Sequence, residues 1–122
     1  YNFFMGLTHL KIRLRNPTKP SKYKEIPFLI DSGALYTVIP QKYLDQLGIK
    51  RDSKREFILA DGRVIERDMG GGIFEYSGRR AHAPVTFGEK GDLPVIGVTA
   101  LESLGFGLDP LKRRLIELPL TM

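Results

Sequence analysis

Phe28-Leu29-Ile30-Asp31-Ser32-Gly33-Ala34-Leu35-Tyr36-Thr37-Val38-Ile39 places an acid, a hydroxyl and a glycine between two apolar runs. Phe28 to Ile30 reads as a buried strand, which would hold Asp31 close to apolar surroundings. Burying one carboxylate alone is costly, so Asp31 is the candidate reactive group. Gly33 lacks the Cβ that would keep another backbone or a substrate away, and the Ser32 hydroxyl can lock the turn from inside. By its three letters alone, Asp-Ser-Gly is also common turn chemistry between strands.

Outward from this stretch the chain alternates in short pieces. Leu10, Ile12 and Leu14 against Lys11, Arg13 and Arg15 predict a half-buried strand from Leu7 to Arg15. Pro17 and Pro20 among polar residues predict a loop or hairpin turn over Asn16 to Lys24. Thr37 to Ile39 forms a second short strand, and Pro40 opens a helix through Tyr43, Leu44 and Leu47 to a stop at Gly48. Lys50 to Arg55 is polar and exposed. Phe57 to Ile65 predicts a hairpin around Asp61-Gly62. Met69-Gly70-Gly71-Gly72 reads as a bend in a continuing sheet, with strands Ile73 to Tyr76 and Ala81 to Phe87 around Ser77-Gly78. Glu89 to Asp92 is a loop. Thr99-Ala100-Leu101-Glu102 has the spacing of a capping box opening a helix that Gly105 ends. Phe106 to Pro110 then leads to a turn, and Leu115 to Leu118 forms a last strand.

Asp31-Ser-Gly-Ala-x-x-Thr-Val38 between two apolar strands resembles the active-site signature of retroviral-type, or retropepsin-like, aspartic proteases. Leu93-Pro94-Val95-Ile96-Gly97 before a short helix resembles the family's second apolar-apolar-glycine element. Together the two matches span roughly residues 26 to 118. The resemblance implies a mainly β, closed-barrel acid-protease fold with one or two short helices and one lobe per chain. It also implies an aspartic endopeptidase with Asp31 catalytic and Ser32, Gly33 and Ala34 supporting its loop. Ser32 would brace two catalytic loops, and Gly33 would admit water and substrate. The Phe57 to Ile65 hairpin takes the place of the flap over substrate, with Ala60, Asp61, Gly62 and Arg63 at its tip, and Met69 to Gly72 is the rival flexible segment. In such an enzyme two Asp31 carboxylates meet on a two-fold axis, share one proton and activate a water, with no metal and no cofactor. Retroviral members commonly carry an acid where Leu35 stands and an arginine where Val98 stands. Both are absent, and with them the polar network that ties the viral dimer.

With 122 residues the chain has room for one core, and it holds one Asp-Ser-Gly. It is too short for two catalytic lobes, so a homodimer acting on a peptide or unfolded protein is expected. Residues 1–4 precede Met5-Gly6 and read as a remnant or upstream sequence, leaving 5–122 as a single domain. Without cysteine there is neither a disulfide nor a thiolate site, which fits a reducing cytoplasm. No apolar run approaches the roughly 20 residues of a membrane-spanning helix. The net charge of +5 is spread in small groups, of which Arg79-Arg80 and Lys112-Arg113-Arg114 are the tightest. No nucleic-acid-binding motif accompanies them, so no specific nucleic acid is expected; a solvated surface favouring acidic partners is. His9 and His82 lie far apart without metal-like spacing. Two other readings share these residues: a catalytically silent retropepsin-fold dimerisation or protein-binding module, and a basic nucleic-acid-binding β domain.

Overall fold

In the computed structural model, residues 8–31, 33–109, 111 and 114–119 are described. Ser32, Lys112, Arg113 and residues 1–4 lie outside them. The chain is mainly β, with two short helices. β1 (Thr8–Asn16) runs antiparallel to β2 (Lys19–Ile30), with Ile12 opposite Ile26 and Thr8 opposite Ile30. The alternation in β1 holds: Ile12 and Leu14 are fully buried, while Lys11, Arg13 and Arg15 share the other face.

Of the loop or hairpin turn expected over Asn16 to Lys24, the structure has the hairpin, a tight one with β2 already under way at Lys19. Asn16 accounts for the tight turn. Its buried side chain accepts hydrogen bonds from the N–H groups of Thr18 (2.9 Å) and Lys19 (3.2 Å) and donates to the Leu47 carbonyl (2.8 Å). The register shifts between Arg15 and Asn16, so Pro20 falls where no ladder N–H is required.

β3 (Thr37–Pro40), β4 (Ser53–Ile58), β5 (Val64–Tyr76), β6 (Arg79–Gly88) and β7 (Val95–Ile96) complete one sheet in the order β1-β2-β7-β3-β6-β5-β4. β5 also pairs with β1 through Arg13 to Arg15, so the expected closed barrel takes the form of a sheet ordered as a ring. Phe28, Phe74, Ile26, Ile39 and Ile96 are among the fully buried side chains at its centre. The glycines after Met69 lie within β5, as the reading of a bend in a continuing sheet anticipates. A Cβ on Gly72 would stand 2.6 Å from Leu14 Cδ1, and one on Gly70 would stand 2.8 Å from the Lys50 carbonyl oxygen.

Helix α1 (Gln41–Gln46) follows Pro40 as expected, and α2 (Val98–Ser103) follows Gly97. The capping box does not form: the N-cap is Gly97, and Thr99 lies inside the helix with its hydroxyl bonded elsewhere. Phe106 to Asp109, expected to lead into a turn, is strand β8, antiparallel to β9 (Arg114–Glu117) in a separate two-stranded sheet. Lys50 to Arg55 is exposed as expected, but its last three residues belong to β4.

Candidate active site

β7 lies between the two strands that bound the Asp31 turn. It runs parallel to β2, with Leu29 opposite Val95 and Ile30 opposite Ile96, and it pairs antiparallel with β3 at Val38. The Leu29 N–H donates to the Pro94 carbonyl at 2.9 Å. The two apolar motifs of the sequence therefore meet side by side, and Asp31 leaves the sheet where they meet.

Within the turn, the Ala34 N–H donates to the Asp31 carbonyl at 3.0 Å, and the Gly33 N–H donates to Asp31 Oδ1 at 2.9 Å. A Cβ on Gly33 would lie 3.3 Å from that same oxygen, so glycine keeps the approach to the carboxylate clear. Oδ2 has no hydrogen-bond partner among the described residues. Asp31 itself is exposed, which corrects the expectation of close apolar surroundings: in one chain the apolar wall covers one side of it.

The far leg of the turn rests on the start of α2, whose first N–H groups have no partner within the helix. The Val98 N–H donates to the Ala34 carbonyl at 2.8 Å, and the Thr99 N–H donates to the Leu35 carbonyl at 3.2 Å. The Thr99 hydroxyl adds a bond to the Leu35 carbonyl at 2.9 Å. A Cβ on Gly97 would come within 2.5 Å of the Leu35 oxygen, so only glycine permits this crossing. The Gly97 N–H donates to the hydroxyl of fully buried Thr37 at 3.0 Å. Sequence reading assigned no role to Thr37 or to the Thr99 hydroxyl, although a threonine buried in an apolar strand signals a specific partner. Leu35, where retroviral members carry an acid, is 57% exposed beside this turn.

β4 and β5 form the predicted hairpin, paired from Ser53–Met69 to Ile58–Val64. Leu59 and Arg63 close its end through an N–H to carbonyl bond of 2.8 Å, and Gly62 has a φ of +88°. The Asp61 carboxylate is held below the usual carboxylate range, first by the Arg63 N–H and then by the Arg63 guanidinium at 2.6 Å. Ala60, Asp61, Gly62 and Arg63 are all exposed and do not line the cleft beside Asp31. That cleft, of about 470 Å³, is roofed by Phe57, Leu59, Ile65 and Arg67, one alternating face of the hairpin. Ala34, Val38, Phe87 and Val95 floor it, and Asp92 and Leu93 border it. The Phe57 ring meets Tyr36 of the Asp31 turn edge-on, with centroids 6.3 Å apart. Arg67 ties the roof to the loop below it through Glu89 at 2.9 Å, and Asp92 is engaged by the Glu89 N–H at 2.7 Å.

The arrangement sets the exposed Asp31 carboxylate, held at one oxygen and without a hydrogen-bond partner at the other among the described residues, at the mouth of an apolar cleft under a hairpin. His9 and His82 are exposed on β1 and β6, and no group of three or more His, Cys, Asp or Glu among the described residues could hold a metal ion. No helix among them is long and apolar enough to cross a membrane.

No curated protein sequence matches this chain. In structure it is similar to a retropepsin-like aspartic protease from Rickettsia conorii, with 22% identity, 83% of this chain and 84% of that chain covered, and a TM-score of 0.43. The family model described as aspartyl protease matches residues 21–93, which include the Asp31 turn, the hairpin and the loop to Leu93. That match takes in more than half of the residues, and the chain belongs to the aspartyl protease family.

Proposed function

We propose that the protein is an aspartic endopeptidase whose site is completed by a second copy of the chain, so that two Asp31 carboxylates face each other. The observation that carries this reading is the exposed carboxylate of Asp31 at the cleft mouth, on the turn where β2, β7 and β3 meet. Asp92, the other acid on the cleft, is also exposed, but it lies in the Glu89–Asp92 loop, outside the Asp-Ser-Gly turn. Two like charges brought together retain one proton between them. The ionised carboxylate takes a proton from water as the water oxygen bonds to the peptide carbonyl carbon. The protonated carboxyl gives its proton to the carbonyl oxygen. Collapse of the resulting diol breaks the C–N bond and releases the amine with a proton from the pair. Ser32, Gly33 and Ala34 shape the loop, and the Ala60 to Arg63 tip leads the hairpin that covers substrate. The exposed β9 strand is the candidate contact between copies. The localisation that accords with a cysteine-free chain is the cytoplasm.

The test is hydrolysis of an unfolded protein from acidic to neutral pH by wild type and Asp31→Asn. Loss of cleavage in a folded Asp31→Asn protein is expected, and equal turnover by the two would overturn the assignment. Specific activity should fall on dilution, and excess Asp31→Asn chains should suppress the wild type; full activity in a demonstrably monomeric sample would overturn the shared site.

A further inference from the structure

The outward face of β1, away from the Asp31 cleft, carries Lys11, Arg13 and Arg15 at alternate positions. Register extends this face across three neighbouring strands. Arg13 stands opposite Glu25 on β2 and opposite Glu75 on β5, and Glu75 stands opposite Arg80 on β6. Glu75 is saturated, accepting from Arg15 Nε at 2.6 Å and from Arg80 Nε at 2.7 Å. Lys11 and Arg13 have no ion-pair partner among the described residues. They border a groove of about 550 Å³ whose lining also includes Glu25, Arg79 and Arg80.

We propose that this groove binds an extended acidic polypeptide segment with carboxylates at alternate positions. Alternate side chains on one face of a strand are about 7 Å apart, so Lys11 and Arg13 present two cations at the spacing of residues i and i+2 of an extended ligand. Each would receive a carboxylate in a charge-assisted hydrogen bond. The same face is poorly suited to nucleic acid. A polyphosphate, charged at every residue, would meet Glu25 and Glu75 between the cations, whereas carboxylates at alternate positions fall opposite Lys11 and Arg13 alone. The Tyr23 ring, the aromatic surface beside the row, already has the guanidinium groups of Arg13 and Arg15 at 4.6 and 4.5 Å from its centroid, leaving it ill placed to stack a base. The inference does not depend on catalysis by Asp31; in an active protease the groove would act as a second contact for acidic substrates.

The test is fluorescence anisotropy with a labelled octapeptide alternating glutamate with serine, against the same peptide with glutamine for glutamate. The glutamate probe should bind with an affinity that falls as salt is raised, and the glutamine probe should bind at least about tenfold more weakly. Lys11→Glu/Arg13→Glu should lose about tenfold or more, while Lys90→Glu, in the loop before β7, should bind as the wild type does. If the double reversal lowers the thermal midpoint, Lys11→Gln replaces it, with a loss of roughly threefold expected. Equal binding of the two probes, unchanged affinity in a folded Lys11 variant, or a single-stranded RNA octamer displacing the peptide at lower concentration would each overturn the proposal.

Discussion

The backbone N–H of Gly97 donates to the Thr37 hydroxyl at 3.0 Å, across 60 residues of sequence and inside the fully buried part of the site. One bond thereby joins the strand that leaves the Asp31 turn to the residue that begins α2. Thr37→Val keeps the shape but strands the Gly97 N–H in the core, at a cost of about 1–3 kcal/mol. Urea unfolding should show this as a lower midpoint with an unchanged slope. A stability equal to wild type would mean that the hydroxyl is dispensable.

Gly97→Ala is the harsher change, because the new Cβ would come within 2.5 Å of the Leu35 carbonyl oxygen. Backbone on both sides must separate to admit it, so a loss of roughly 2–4 kcal/mol is expected, in the range of severe overpacking. In soluble variant protein, hydrogen exchange should rise first at Val98 and Thr99, whose N–H groups hold the far leg of the turn.

Gly62 sits at a φ of +88° with nothing within 4 Å of where a Cβ would stand, so a side chain there meets backbone strain and no clash. Gly62→Val should cost about 1–2 kcal/mol locally and depress peptide turnover more than global stability. Kinetics like those of wild type would show that the hairpin end takes no part in covering substrate.

Glu75 gives a pH signature. Burial raises its pKa, but the hydrogen bonds and charges of Arg15 and Arg80 outweigh burial and leave it below the ordinary value. A carboxylate depressed on folding stabilises the protein above its unfolded pKa, and that contribution is lost as pH falls through the folded value. Glu75→Gln should therefore be less stable than wild type by about 1 kcal/mol at neutral pH, with the gap closing under acid. Thermal melts of both proteins from neutral pH down to about pH 3 would check the convergence.

Arg79 is the clasp of the C-terminal sheet. Its guanidinium donates to the carbonyls of Leu104 (3.1 Å) and Gly105 (3.2 Å), lies 4.6 Å from the Phe106 ring centroid and reaches Glu117 at 3.4 Å. Arg79→Ala should destabilise the protein by roughly 1–3 kcal/mol and loosen β8 and β9 before the main sheet, as amide exchange would report. Should β9 carry the contact between copies, the same variant will also lose activity at higher protein concentration than wild type does.

The parts of the fold that could be read from residue order are those decided by local alternation. Ile12 and Leu14 against Lys11 and Arg13 define β1, and Phe28 to Ile30 with Val95-Ile96 supply the apolar pair around the turn. The open and mistaken readings share a cause, a tertiary partner that spacing does not reveal. Pro17 and Pro20 leave a loop or a hairpin turn open, and Asn16 decides for the hairpin, and for the early start of β2, through its own side chain and a carbonyl at Leu47. Thr99 has capping-box spacing, yet its hydroxyl is taken by Leu35. At the site, the hairpin was legible and its working face less so. Period-2 alternation puts Phe57 and Leu59 on one face of the hairpin, and only the fold shows that this face lies over the cleft.

β5 belongs to two structures at once. Up to Asp68 it pairs only with β4, Met69 stands opposite both Ser53 and Thr86, and beyond Met69 the strand pairs with β6. The hairpin is thus a cantilever about 20 Å long, built into the sheet at one end. Its root is buried Met69, whose sulfur accepts from the Thr86 hydroxyl, beside Asp68 held by Arg51. In a beam fixed at one end and loaded at the other the bending moment is greatest at the fixed end, so a load on the hairpin end would be resisted chiefly at Asp68 and Met69.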